Sequence, residues 1–230
     1  MAHTSELSVL ARELNYQFKD ETLLHEALTH RSFASLNNER LEFLGDGALN
    51  FVIAARLFEQ YPRVREGDLS RLRASLVNRD SLAEVARRLN LGDYIRLGPG
   101  EMKSGGFRRA SILADAVESI IGAVYCDGGF EQCRRLILEL FADRLEQQPD
   151  LQALKDAKTQ LQELLQSQRI ALPEYNVTDI RGKSHDQHFT VECRIDALDC
   201  ITTGTGRSRR KAEQIAAELA IEQISSAAGG

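Results

Sequence analysis

Carboxylates stand inside two of the most apolar helical stretches of this chain, and that combination limits the folds open to it. The first stretch reads Asn38-Glu39-Arg40-Leu41-Glu42-Phe43-Leu44-Gly45-Asp46, the second Asp115-Ala116-Val117-Glu118. At 3.6 residues per turn, Glu39, Glu42 and Asp46 (i, i+3, i+7) form one stripe, and Asp115 and Glu118 (i, i+3) share a face. Flanking residues such as Leu41, Leu49 and Val52, and Ile112, Val117 and Ile120, predict two largely buried helices. An ionised carboxylate is costly to bury unless it is paired or bound to a cation. Acids on two apolar helices therefore point to a hard divalent metal held by oxygen, for which Mg2+ is suited and Mn2+ a substitute. The plain alternative is a set of solvated surface acids.

A chain of 230 residues holds one large domain or two small ones. No apolar run approaches the roughly 20 residues needed to cross a bilayer, and the N-terminus lacks a basic start followed by an apolar core. These features predict a cytoplasmic protein without a membrane partner. Cys126, Cys133, Cys193 and Cys200 form no CxxC pair and have no histidine placed to complete a zinc set, so reduced thiols are expected. The net charge of −5, taken as an average, argues against a nucleic-acid partner. The distribution says otherwise: residues 207–211 read Arg-Ser-Arg-Arg-Lys and 103–109 read Lys-Ser-Gly-Gly-Phe-Arg-Arg. Such a chain can hold metal in one place and a polyanion in another.

From Ser5 to about Gln147 the periodicity is helical. Asp20 is placed to cap a helix through residues 22–28. A long helix is predicted from about Asn38 to Tyr61, stopping before Pro62. Helical patterns follow at 68–77 and 81–89. Gly98-Pro99-Gly100 and Gly105-Gly106 mark a loop, and a further helix is expected from about Phe130 to Gln147. Residues 148–155 read as a linker. After it come a helix from Ala157 to Ser167, strands near 175–180, 187–195 and 199–205, and an Ala-rich helix capped by Ser208 and running to about Ile224. The predicted fold class is an all-α N-terminal domain (5–147) joined to an α+β domain of order α-β-β-β-α (156–226).

Gly45-Asp46-Gly47 is also a turn signal, and each glycine costs about 1 kcal/mol in a helix interior. Apolar periodicity continues through residues 48–54, so one helix is kept and the glycines read as a close-packing surface. Phosphodiester hydrolysis fits carboxylates that hold two divalent ions. His3, His25, His30, His185 and His188 do not cluster near the acids. Gly204-Thr205-Gly206-Arg207-Ser208-Arg209-Arg210-Lys211 puts basic side chains at a helix start, where free N–H groups and the helix dipole favour phosphate. In isolation that run is equally a solvated charge cluster.

With both halves in view, the chain resembles bacterial ribonuclease III from about Leu7 to Ile224. The stretches that carry the likeness are 28–33 (LTHRSF), 38–46 (NERLEFLGD), 66–70 (EGDLS), 98–109 (GPGEMKSGGFRR) and 112–118 (ILADAVE), in that order. Residues 157–224 resemble a double-stranded RNA-binding domain through 161–166 (LQELLQ), 173–175 (PEY), Gly182, His185, Phe189 and 204–212. The resemblance implies that Glu42, Asp46, Asp115 and Glu118 bind metal, with Asp46 and Glu118 at the positions usually named as active-site residues. Glu39 and Glu66 would border the substrate groove. It also implies a homodimer that cuts both strands, leaves staggered ends with 5′-phosphate and 3′-hydroxyl, and processes ribosomal RNA precursors and other structured transcripts. Gly47 and Ser119 depart from the family's usual small residues without removing a ligand. In the second domain Gln162, Glu163 and Gln166 would meet 2′-hydroxyls and base edges in the shallow minor groove of A-form RNA, and His185 a second minor groove. Arg209, Arg210 and Lys211 would meet phosphates between them. The competing reading is an inactive dimeric RNA-binding protein, which loss of any of the four carboxylates would have favoured. All four are present.

Overall fold

The computed structural model describes residues 2–147, 155–182 and 186–228. The chain divides into two compact units, Met1–Pro149 and Asp150–Gly230. Among the described residues no helix is long and apolar enough to cross a membrane.

The first unit is helical, with α1 (Ala2–Glu13), α2 (Glu21–Ala27), α3 (Glu39–Gln60), α4 (Glu66–Val77), α5 (Arg79–Arg88), α6 (Pro99–Lys103), α7 (Ala110–Gly128), α8 (Phe130–Leu140) and α9 (Ala142–Glu146). Its axis is α7, where Ile112, Leu113, Val117, Ile120, Ile121 and Val124 are all buried. A helix this apolar over most of its surface must be covered over most of it, and α2, α3, α5 and α8 pack against α7. Asp20 caps α2 as predicted, its carboxylate accepting the Thr22 N–H at 2.9 Å. Asn78 caps α5 by accepting the Ser81 N–H at 2.9 Å.

The tightest contact is between α3 and α7. A Cβ built on Gly45 would lie 1.8 Å from the Glu118 carbonyl oxygen, and one on Gly122 would lie 2.2 Å from the Leu41 carbonyl oxygen. The two backbones therefore touch where the acids are. Gly47 behaves differently from the expectation that both glycines form a packing surface. It is exposed and a Cβ there would meet nothing within 4 Å.

Two other expectations are corrected. The helix predicted over 130–147 breaks at Phe141, whose ring is fully buried. Periodicity does not register the change of direction between α8 and α9. The predicted loop before α7 contains the short helix α6, with Pro99 at its first position, where the fixed proline φ and missing N–H suit a helix start. A 3-10 turn, Gly106–Arg108, follows it.

The second unit runs α10 (Ala157–Ser167), β1 (Glu174–Arg181), β2 (His188–Ile195), β3 (Cys200–Gly206), α11 (Arg209–Ala228). The strands form an antiparallel sheet of order β1-β2-β3, with an irregularity between Val177 and Asp179. Both helices cover one face over a core of Leu161, Leu165, Cys193, Ile195, Ala216 and Ala220. Gly204 lets α11 approach β3 directly, since a Cβ there would lie 2.2 Å from the Ala212 carbonyl oxygen. All four cysteines are free thiols, and Cys133, Cys193 and Cys200 are buried as small apolar groups. Lys155 is the one residue of the predicted linker within the described residues.

Candidate functional site

The contact between α3 and α7 brings together carboxylates that lie far apart in sequence. Glu42, Asp115 and Glu118, each half-buried, offer ligand oxygens that all lie within 4.8 Å of one another. Asp46 stands one turn beyond Glu42 on α3 and is exposed. Its carboxylate accepts from the Asn50 side-chain amide at 2.7 Å, and the same amide nitrogen lies 3.0 Å from the Asp46 carbonyl. The start of α3 is joined to α7 by the fully buried Ser119. Its hydroxyl lies 2.6 Å from the Asp115 carbonyl oxygen and 3.3 Å from that of Asn38.

The crowded negative charge of this cluster suits a cation. Burial, then the negative charges of Asp46, Glu42 and Asp115, push Glu118 from 4.5 up to about 8. Glu42 is raised by burial and by Asp115, Glu39 and Asp46, against Arg31. Asp115 is raised chiefly by burial, while His30, Arg79 and Arg31 pull it back. Like charges crowded in a half-buried place resist ionisation, and a divalent cation bound to the oxygens reverses that penalty. The all-oxygen donor set suits a hard ion. The acidic cluster is thus able to hold a metal.

Glu39 and Glu66 lie outside this cluster. Glu39 is exposed and paired with Arg31 at 3.3 Å, a contact worth about 1 kcal/mol at most on a surface. Glu66, in the first turn of α4, accepts from the Ser70 hydroxyl at 2.7 Å. It lines a groove of about 450 Å3 with Phe51, Phe58 and Leu69. Sequence reading did not single out Asn50 or the Ser119 bridge. The i+4 spacing of Asn50 from Asp46 was a usable signal; the reach of Ser119 to Asn38 was not.

In the second unit Gln162 and Gln166 are exposed on α10. Glu163, grouped with them, is half-buried and engaged by Lys155 at 2.5 Å. His185 lies outside the described residues. Ser208 caps α11 as predicted, its hydroxyl accepting the Lys211 N–H at 3.2 Å. Arg209, Arg210 and Lys211 are exposed at that helix start, with Arg209 also bonded to Glu213 at 2.8 Å.

Residues 20–145 match the family model described as ribonuclease-III-like, and residues 157–224 match the double-stranded RNA binding motif. Ribonuclease 3 of Vibrio vulnificus (strain YJ016) is 58% identical over 220 residues, covering 96% of this chain and 98% of that protein. Ribonuclease 3 of Shewanella amazonensis is 56% identical over 215 residues, covering 94% of this chain and 95% of that protein. Among solved structures, the nuclease domain of ribonuclease III from Campylobacter jejuni aligns at a TM-score of 0.58 and 50% identity, over 58% of this chain and 94% of its own. In that protein a region involved in dimer formation is structurally flexible.

Proposed function

The chain belongs to the ribonuclease III family and is an endoribonuclease of double-stranded RNA, and from that premise we propose which side chains act and on what. The domains are a nuclease domain over 5–147, a linker over 148–155 and an RNA-binding domain over 156–226. Glu42, Asp46, Asp115 and Glu118 hold divalent metal, Mg2+ with Mn2+ as substitute, and Asp46 and Glu118 are the catalytic pair. The observation that carries this reading is the gathering of Glu42, Asp115 and Glu118 oxygens within 4.8 Å at a backbone contact between two helices. When bound, such an ion supplies an activated water and neutralises charge on the leaving oxygen. Asn50 donates to the Asp46 carboxylate, and the Ser119 hydroxyl of α7 lies between the Asp115 carbonyl and that of Asn38 at the start of α3. Hydrolysis leaves 5′-phosphate and 3′-hydroxyl on staggered ends, and the substrates are ribosomal RNA precursors and other structured transcripts of the cytoplasm. The test is a long RNA duplex incubated with and without Mg2+, with end-group mapping of the products. Uncut duplex in Mg2+, or cutting that survives chelation, rejects the assignment.

The active form is a homodimer joined along α3, and Glu39 and Glu66 border the joined groove. Phe43, Phe51 and Phe58 are 84%, 61% and 72% exposed, and with Gly47 they make an apolar stripe (i, i+4, i+8, i+15) unlike a solvated helix face. Phe43→Glu is expected to move the protein from dimer to monomer in sedimentation at micromolar concentration. A wild-type monomer with full activity at that concentration rules the dimer out.

Duplex affinity resides in the second domain, through Gln162, Glu163, Gln166 and His185 at minor grooves and Arg209, Arg210 and Lys211 at phosphates. Replacing those three cations with Ala is expected to weaken binding equally for unrelated duplexes. The slope of log K against log salt should fall by up to about three, one for each phosphate that is no longer neutralised. A truncation ending near Gln147 is expected to cut only in excess Mg2+ at low salt. Full-strength duplex binding by that truncation at physiological salt contradicts the division of labour.

A further inference from the structure

Glu213 lies one turn into α11, separated from the basic run by Ala212, and is 8% exposed. Its carboxylate accepts from a cation of each helix: from Lys158 Nζ on α10 at 2.6 Å and from Arg209 Nε on α11 at 2.8 Å. The link is doubled by its neighbour. Gln214 Oε1 accepts the Lys158 backbone N–H at 3.2 Å, and the Gln214 side chain is also hydrogen-bonded to Asp156, the residue that caps α10. The Lys158 ammonium sits 4.2 Å from the centre of the Tyr175 ring. Burial raises the Glu213 carboxyl, but hydrogen bonds from Lys158 and Arg209 outweigh it and hold the group below the ordinary carboxylate range.

This arrangement spans the two elements that face RNA. Lys158, Gln162 and Gln166 recur at i, i+4 and i+8 along α10, and Arg209 to Lys211 open α11. A groove of about 550 Å3 lined by Gln162, Arg210 and Glu213 lies over the link. A-form RNA fixes the distance between its minor groove and the phosphates across the neighbouring major groove. A protein that reads shape must hold its own two elements at the matching distance before the duplex arrives.

We propose that Glu213 is a positioning residue for duplex recognition, clamping Lys158 and Arg209 so that α10 and the start of α11 present their groups at the spacing of A-form RNA. The inference rests on the duplex-binding role given above to this domain. Arg209 keeps 62% of its side chain exposed while its Nε is held, so its remaining donors stay available to phosphate. Prearranged groups lose less freedom on binding. A carboxylate that served only as a counter-charge would act with the opposite sign: removing it would add net positive charge, tighten binding and steepen the salt dependence.

The experiment uses the full chain and a long RNA duplex, with wild type, Glu213→Gln and Glu213→Asp. The Asp variant keeps the charge and withdraws the carboxylate by one methylene, so it separates position from charge. Circular dichroism reports whether each variant is folded. For Glu213→Asp we expect Kd and KM to rise about five- to tenfold, with kcat at saturating duplex unchanged and a shallower salt slope. Glu213→Gln is expected to weaken binding at least as much. Wild-type affinity in the Asp variant, or equal or tighter binding by a folded Gln variant, overturns the proposal. So does a fall in kcat with Kd unchanged. If wild type itself fails to bind the duplex, the domain's role is what fails, and that outcome is distinct from a wild type that binds beside variants that bind equally well.

Discussion

Glu118→Gln is expected to reduce duplex cleavage by several orders of magnitude while leaving duplex binding intact. Gln keeps the shape of the side chain but lacks the charge that draws a cation into a cluster with Glu42 and Asp115. A second readout is independent of activity. In the folded, metal-free protein Glu118 holds its proton up to about pH 8, whereas an ordinary glutamate has lost it above 4.5. The unfolded chain releases that proton first, so the native state loses stability as pH rises from 4.5 to about 8. Below 4.5 both states hold the proton and the effect vanishes. With metal chelated, Glu118→Gln should therefore melt higher than wild type near pH 9 and equally near pH 4. Discounted for the partial exposure of the site, the alkaline gain is on the order of 2 kcal/mol, which is several degrees in Tm. Metal should reverse the order, because only wild type gains from binding it. Apparent metal affinity of wild type should rise with pH up to about 8, since loading displaces a proton. Near-normal cleavage by the Gln variant, or an alkaline Tm below that of chelated wild type, refutes the role given to Glu118.

Gly45→Ala should be the most disruptive one-carbon change in the nuclease domain. Alanine is the better helix former by about 1 kcal/mol, but the added carbon would lie 1.8 Å from the Glu118 carbonyl and 2.9 Å from the Gly122 nitrogen. Both are backbone atoms of α7, so no side chain can swing away and the helices must separate. Overpacking of this kind costs about 3 kcal/mol or more, which outweighs the propensity gain. Glu118 would move away from Glu42, so soluble variant protein should also lose metal affinity and cleavage. Gly100→Ala on α6 is the control, because nothing lies within 4 Å of its added carbon and it stands outside the α3 stripe. Denaturant unfolding that places Gly45→Ala within 1 kcal/mol of wild type contradicts the account.

The helices that carry the acids were legible in sequence because a period of 3.6 survives through Leu41, Leu49, Val52 and Ile53 and through Ile112 to Val124. The α+β character of the second domain was legible from alternation at 175–180 and 187–195 and from the Ser208 cap. Register between distant elements was not. Nothing local to Gly45 and Gly47 distinguishes the glycine that touches α7 from the one that faces solvent. The i+3 and i+7 stripe groups Glu39 with Glu42 and Asp46, yet Glu39 turns to Arg31, and only tertiary structure places that arginine. Glu163 falls in the same category, since its partner Lys155 precedes α10. Phe141 satisfies a helical pattern on either side of the break it makes. Glu213 reads in sequence as an ordinary acid beside a basic run, and its meaning depends on Lys158, which stands 55 positions earlier.

The meeting of α3 and α7 through backbone atoms at Gly45 and Gly122 also bears on how freely this sequence can drift. Where two helices are held apart by side chains, each exchange of core volume moves their axes and whatever they carry. Here main-chain atoms set the gap, and every sequence shares those. Leu49, Ile53, Ile120 and Ile121 can trade methyl groups among themselves over many generations, or in a designed library, with little change in the distance between Glu42 and Glu118. Mutational tolerance in this domain should therefore be steeply uneven: broad across the apolar core, and nearly absent at two residues that have no side chain.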